Sequence, residues 1–248
     1  MSVWRLFRRR ANEDQPSIPE GVRIYAIGDV HGRVDLLDGV FSRIDADLAT
    51  YPVDRPLQVL LGDYVDRGPC SREVIDCLLT RGGLQKLVCL KGNHESCLLN
   101  FLRNPSTLPQ WQQLGGLETL LSYGVVPNTG SCDQDHWQTA TAFAAALPTS
   151  HREFLMALRS SFTYGDYFFV HAGVRPGIPL SKQKDDDLLW IREDFLLYEQ
   201  RFEKIIVHGH TPVLQPERRP NRINIDTGAY ATGRLTCLKI EGNALFLL

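Results

Sequence analysis

The sequence predicts an α/β fold: a parallel sheet made of strand–helix units, followed by a second, more antiparallel sheet. Three observations carry this. Short apolar runs at 24–27, 57–61 and 87–90 alternate with stretches whose apolar residues recur at helical spacing, the pattern of βαβ units. Each of those runs leads, at once or after one residue, into a glycine followed by a carboxylate or an amide. The last quarter of the chain carries brief apolar runs separated by turn residues, without long helical segments, which suits antiparallel pairing.

Taken in order, residues 23–27 form the first expected strand, and it runs into GDVHG at 28–32. A helix is expected over 34–49, because Leu36, Leu37, Val40, Ile44 and Leu48 share one face. The second strand, 57–61, ends in GDYVDRG at 62–68. Ser71 has the chemistry of an N-cap for a helix to residue 79, with Glu73 in its first turn and Gly82–Gly83 closing it. The third strand, 87–90, ends in GNHE at 92–95. Residues 100–160 read as a helical insert punctuated by Pro and Gly, a packing element or a cap over a cleft, with His136 and His151 expected on its surface. Strand patterns return at 167–170, leading into HAG at 171–173, and at 188–191, after an acidic run at 185–187 that reads as a solvated turn. A strand at 204–207 ends in HGHTP at 208–212, and short strands at 223–225, 236–240 and 244–248 complete the second sheet.

The chain has 248 residues, 43% of them apolar, enough for a sizeable core. A formal charge of −2 gives no electrostatic case for nucleic acid. Six cysteines without a CxxC pair, and no secretory signal, read as reduced, mostly core thiols of a cytoplasmic protein. No apolar run is long enough to span a bilayer. Residues 1–21 are expected as a flexible basic tail outside a single domain spanning 22–248. Within that tail Trp4, Leu6 and Phe7 lie among Arg5, Arg8, Arg9 and Arg10, a mixture that suits weak contact with an anionic membrane surface or an acidic partner.

One Asp and one His in a turn are usually a cap and a surface imidazole. Here the pattern repeats: Asp29 and His31, Asp63 and Asp66, Asn93 and His94, His171, and His208 all stand at strand ends. Oxygen and imidazole donors without thiolate suit Mn²⁺, Fe or Zn²⁺. The set exceeds the needs of one ion, and sharing a carboxylate divides it into two adjacent sites, the arrangement used for displacement at phosphorus.

GDVHG, GDYVDRG, GNHE, HAG and GHT, in this order, resemble the signatures of the phosphoprotein phosphatase (PPP) family of Ser/Thr phosphatases, a branch of the calcineurin-like metallophosphoesterases, and in particular its compact bacterial and phage-type members. The resemblance covers residues 23–248. It implies a central β-sandwich of mixed sheets flanked by helices, with the site at the loops after the parallel strands. It makes Asp29 and His31 ligands of a first metal, Asp63 the bridge, and Asn93, His171 and His208 the ligands of a second, leaving His210 a structural role. His94 resembles the general acid, oriented by Asp66. Arg67 resembles the phosphate-clamping arginine, and Arg192, in the looser LLWIRE segment, a second one. Glu95 is expected to brace its helix, and Asp226 to orient a ligand through a hydrogen bond.

The activity implied is a phosphomonoesterase using two divalent ions, foremost Mn²⁺, and attacking directly with a metal-held hydroxide. Such ions bring the pKa of bound water to about 7, and an imidazole acid contributes roughly 10²–10⁴-fold. The expected substrate is phosphoprotein or phosphopeptide, at phospho-Ser/Thr and also phospho-Tyr, and the expected state is a monomer. Two other functions compete. One is the symmetrical dinucleoside tetraphosphatase branch of the superfamily, which typically lacks an acid at the position of Asp66. The other is a non-catalytic binding module, against which the complete ligand set argues.

Overall fold

A computed structural model describes residues 15–128 and 132–248. In chain order the elements are β1 (Val22–Ile27), α1 (Val34–Thr50), β2 (Arg55–Leu60), α2 (Ser71–Leu84), β3 (Leu87–Cys89), α3 (Asn93–Arg103), α4 (Leu108–Gln113), α5 (Gly116–Ser122), α6 (Asp133–Ala146) and α7 (Thr149–Ala157). They continue with β4 (Ser161–Tyr164), β5 (Tyr167–Val170), α8 (Asp185–Trp190), α9 (Glu193–Leu196), β6 (Ile205–His208), β7 (Glu217–Arg218), β8 (Arg222–Asn224), α10 (Ala229–Thr232), β9 (Cys237–Glu241) and β10 (Ala244–Leu247).

Two five-stranded sheets result, ordered β10-β9-β1-β2-β3 and β4-β5-β6-β8-β7. In the first, β1, β2 and β3 are parallel and β9 and β10 are antiparallel. In the second, β5, β6 and β8 are parallel, with antiparallel edges β4 and β7. The period-2 alternation of side chains assigns each face. Ile24 and Ala26 of β1, Leu57 and Val59 of β2, Phe169 of β5 and Val207 of β6 meet between the sheets. Tyr25 and Ile27 turn outward onto Leu37, Val40 and Ile44 of α1 and Val74, Ile75 and Leu78 of α2. On the far side, Phe168, Val170 and Ile206 pack under Leu188, Ile191 and Phe195. β1, β5, β2 from Leu57 and β6 from Ile206 are buried on both faces, which is why they read as largely apolar runs. Among the described residues no helix is long and apolar enough to cross a membrane.

Several expectations change. The three C-terminal strands do not share one sheet: β8 joins β6, whereas β9 and β10 return to β1. Residues 188–191 are not a strand; Asp185, Asp186 and Asp187 occupy the first turn of α8, where acidic side chains favour helix. Ser71 is not the cap of α2, which follows Cys70, and the helix runs through Gly82 and Gly83 to Leu84. His136 and His151 are buried; His151 bridges the Tyr123 hydroxyl at 2.8 Å and Asp76 at 2.9 Å, tying α7 to α2. Only Cys237 of the six cysteines is fully buried. Residues 15–21, expected in the tail, belong to the fold: Ile18 enters the inter-sheet core and its N–H donates to Gly242 O at 3.0 Å. Trp4 and its arginine neighbours lie outside the described residues.

Candidate active site

The loops after β1, β2, β3, β5 and β6 converge at one end of the sandwich, the usual location of ligands in parallel sheets. They approach backbone to backbone. A Cβ on Gly62, whose φ is +106°, would lie 2.5 Å from Gly92 N, so the second and third loops meet only because glycine stands there. Glu95 of α3 is fully buried and fastens the same junction. Its carboxylate accepts the N–H groups of Gly92 (2.8 Å), Asp63 (2.9 Å), Tyr64 (2.7 Å) and Val65 (3.3 Å).

Asp63 is the centre of the cluster. Its Oδ2 lies 3.5 Å from His31 Nε2, 3.7 Å from His94 Nε2 and 3.4 Å from His171 Nε2. Donor atoms of His31, Asp63 and His94 form one compact group, and those of Asp63, His171 and His210 a second, with Asp63 common to both. Asn93 Oδ1 stands between His171 Nε2 (2.8 Å) and His210 Nδ1 (2.9 Å). Asp29 closes the remaining side, accepting the His210 N–H at 2.9 Å through Oδ2 while its buried Oδ1 has no partner.

This set fits cations on its own chemistry. His31 Nδ1 donates to Val65 O at 2.9 Å and His171 Nδ1 to Leu61 O at 3.0 Å, which turns both Nε2 lone pairs inward. His171 Nε2 thus faces an acceptor, Asn93 Oδ1, with no proton between them, a contact that a shared cation makes favourable. Burial lowers the pKa of His31 to about 3, and burial followed by His171 does the same for His210, so both are neutral donors at pH 7. Burial raises Asp29 well above the carboxylate range, with Asp226 and Asp63 adding to it. Burial also raises Asp63, but His171, His94 and His31 outweigh it and hold that acid low. Asp226 is pushed up to about 6, chiefly by burial; its Oδ1 accepts the Gly228 N–H at 2.8 Å. Three buried acids in one pocket leave a deficit of positive charge.

Beside this pocket, His94 Nδ1 donates to Asp66 Oδ2 at 2.8 Å. Burial lowers the His94 pKa, but Asp63 and Asp66 overcome it and the net shift is upward. Two arginines flank the cluster. Arg67 Nη1 donates to His31 Nε2 at 3.0 Å, with its guanidinium 4.8 Å from the Tyr230 ring. Arg192 Nε donates to His210 Nε2 at 3.1 Å. Among the described residues five non-glycine positions have positive φ: His31, Asp63, Asp66, Arg67 and His210. All five belong to this site, and such conformations persist only where surrounding contacts over-determine them.

The structure therefore gathers Asp29, His31, Asp63, Asp66, Arg67, Asn93, His94, His171 and Arg192, but not His208. As the last residue of β6, His208 follows the alternation of Ile206 and points outward, edge-on to Phe195 at 4.9 Å. His210, given a structural role from the sequence, occupies the place expected of His208. A signal existed: Asp29, Asp63 and Asn93 each directly follow the glycine after a strand, and His210 follows Gly209 in the same way. No comparable signal marked Trp111 and Thr119, which reach Asp66 from elements distant in sequence.

Comparison with known proteins agrees with the fold. Residues 22–239 match the family model of the calcineurin-like phosphoesterases. Bis(5′-nucleosyl)-tetraphosphatase PrpE [asymmetrical] of Anoxybacillus flavithermus is 27% identical, over 86% of this chain and 88% of its own. The protein of that name from Halalkalibacterium halodurans is 26% identical, over the same shares. A solved structure provisionally named a diadenosine tetraphosphatase superimposes with a TM-score of 0.61 at 19% identity, covering 91% of this chain and 92% of that one. A cold-active protein tyrosine phosphatase does so at 0.57 and 16% identity, covering 97% and 84%. With the family model spanning most of its length and the family's metal-binding chemistry assembled at the strand ends, the chain belongs to the calcineurin-like phosphoesterases.

Proposed function

We propose that this chain is a two-metal phosphomonoesterase acting on phosphoprotein, at phospho-Ser/Thr and also phospho-Tyr, with Mn²⁺ as its metal. The observation that carries this reading is the His94–Asp66 pair beside Asp63. Protonating an alkoxide is the part of ester hydrolysis that cations alone do not accomplish, and a held imidazole does it.

Asp29, His31 and Asp63 would hold one ion, and Asp63, Asn93, His171 and His210 the other. The bound ions supply positive charge for the phosphate and acidify water to a pKa of about 7. The protein does the rest. His94 keeps Nε2 toward the cluster because Nδ1 is tied to Asp66, and from there it delivers a proton to the leaving oxygen. Arg67 and Arg192 leave their imidazole partners to take phosphate oxygens, for which a guanidinium fork is matched in shape.

A second reading, hydrolysis of dinucleoside tetraphosphates, is favoured by the names of the matched relatives. There the leaving group is a nucleotide phosphate, stable as an anion, and an acid contributes little. The decisive experiment strips the protein with chelator, reloads it with Mn²⁺, and compares kcat/KM on phosphopeptides and on diadenosine tetraphosphate. The proposal expects the phosphopeptide to be preferred; a strong preference for the dinucleotide overturns it.

A further inference from the structure

The helical insert makes contacts at the site that packing alone does not require. Asp66 and Arg67 are consecutive, and both are left-handed, with φ of +70° and +68°. For residues with a Cβ that conformation costs roughly 1–2 kcal/mol each, so something must hold them. The α4–α5 corner does. Trp111 of α4, fully buried, donates Nε1–H to Asp66 Oδ2 at 2.9 Å, the same oxygen that receives His94 Nδ1–H. Thr119 of α5, also fully buried, donates its hydroxyl to Asp66 Oδ1 at 2.6 Å and accepts the Asp66 N–H at 2.8 Å. Between these helices Gly115 accepts the Arg67 N–H at 3.1 Å through its carbonyl. Its own φ is +98°, and a Cβ there would stand 2.7 Å from Arg67 N.

We propose that the α4–α5 corner is the positioning element for leaving-group protonation: Trp111 and Thr119 fix both oxygens of Asp66 and so aim His94, while Gly115 sets the backbone of Arg67. The inference rests on His94 being the acid of the reaction. Trp111 and Thr119 are positioning residues, since they act through Asp66. In the step they serve, a water oxygen bonds to phosphorus as the P–O bond to the leaving oxygen breaks; the breaking bond's electron pair stays on that oxygen, and the His94 Nε2–H proton becomes the new O–H, leaving its electron pair on Nε2.

An acid matters in proportion to how poor the leaving group is, and that separates positioning from general support. The test measures kcat and KM of Mn²⁺-loaded protein on β-glycerol phosphate, which expels an alkoxide, and on para-nitrophenyl phosphate, which expels a stabilised phenolate. Trp111→Phe and Thr119→Val should each lower kcat on β-glycerol phosphate at least about tenfold, the lower end of the worth of one hydrogen bond to a charged group, and on para-nitrophenyl phosphate by less than about twofold. Thr119→Ser, keeping the hydroxyl, should restore the first value and is the variant to compare if Trp111→Phe folds poorly. Gly115→Ala should act differently, raising KM on both substrates alike through Arg67. Equal losses on both substrates for Trp111→Phe and Thr119→Val, or no loss on either, would overturn the proposal. His94→Asn separates the two levels of the argument. If its loss is independent of the leaving group, the acid assignment fails and the proposal with it; if its loss is selective and that of Trp111→Phe and Thr119→Val is not, only the positioning claim fails.

Discussion

Glu95→Gln tests how the site is built, because it changes one atom and almost no volume. In the folded protein Oε1 accepts from Tyr64 and Val65, and Oε2 from Gly92 and Asp63. Whichever oxygen becomes NH₂, two buried N–H donors lose their acceptor and face another donor. A hydrogen bond to a charged group is worth about 1.5–3 kcal/mol, so the gross loss is about 3–6 kcal/mol. Part is returned, because the variant no longer buries a charge near Asp63, a cost visible in the Glu95 pKa, which burial and Asp63 push up to about 7. The net expectation is a destabilisation of about 2–4 kcal/mol. Urea denaturation of metal-stripped protein would read it as a lower midpoint at unchanged slope. Metal titration should also show weaker binding, since Asp63 loses the anchor of its backbone. A stability change within about 0.5 kcal/mol, the range of ordinary surface substitutions, would refute the idea that this carboxylate fastens the loops.

Gly209→Ala would drive a Cβ into the Asp29 carboxylate; it should weaken the ion held by Asp29 at least tenfold, measured by competition with a chromophoric chelator, with the circular dichroism spectrum preserved. Arg192→Lys should raise KM for a phosphopeptide about tenfold with little change in stability, because a lysine ammonium cannot reproduce the guanidinium fork. Asp47→Asn should cost about 2–4 kcal/mol, since Asp47 accepts from Tyr25 OH (2.7 Å), Lys239 (2.7 Å) and Arg23 (3.2 Å) at a nearly buried position. Burial raises the Asp47 pKa, but Lys239, Tyr25 and Arg23 outweigh it and depress it. Its stabilisation is therefore complete above the unfolded value near 4 and is lost as pH falls through the folded one, so the gap between wild type and Asp47→Asn should close in acid.

The parallel half of the fold was legible because local and tertiary preferences agree there. Leu57, Val59 and Leu60 are apolar on both faces of a strand that is buried on both. The glycines after each strand marked where the site begins. Chain reversal at the C-terminus was not legible, because nothing local in residues 236–248 distinguishes pairing with β8 from pairing with β1. His151 misled for a related reason: a buried imidazole is accommodated only with its partners in place, and Asp76 lies 75 residues from His151. Position Asp66 shows the same limit most plainly. Its pairing with His94 followed from a motif, but the Trp111 and Thr119 donors that complete it come from an insert without one.

Anomalous diffraction from Mn²⁺-loaded crystals would locate the ions and their ligands. Two metal peaks per chain are expected, one in contact with Asp29, His31 and Asp63, the other with Asp63, Asn93, His171 and His210, and no metal peak against His208. A lone peak, a peak held by His208 with His210 turned away, or no peak at full loading would contradict this arrangement.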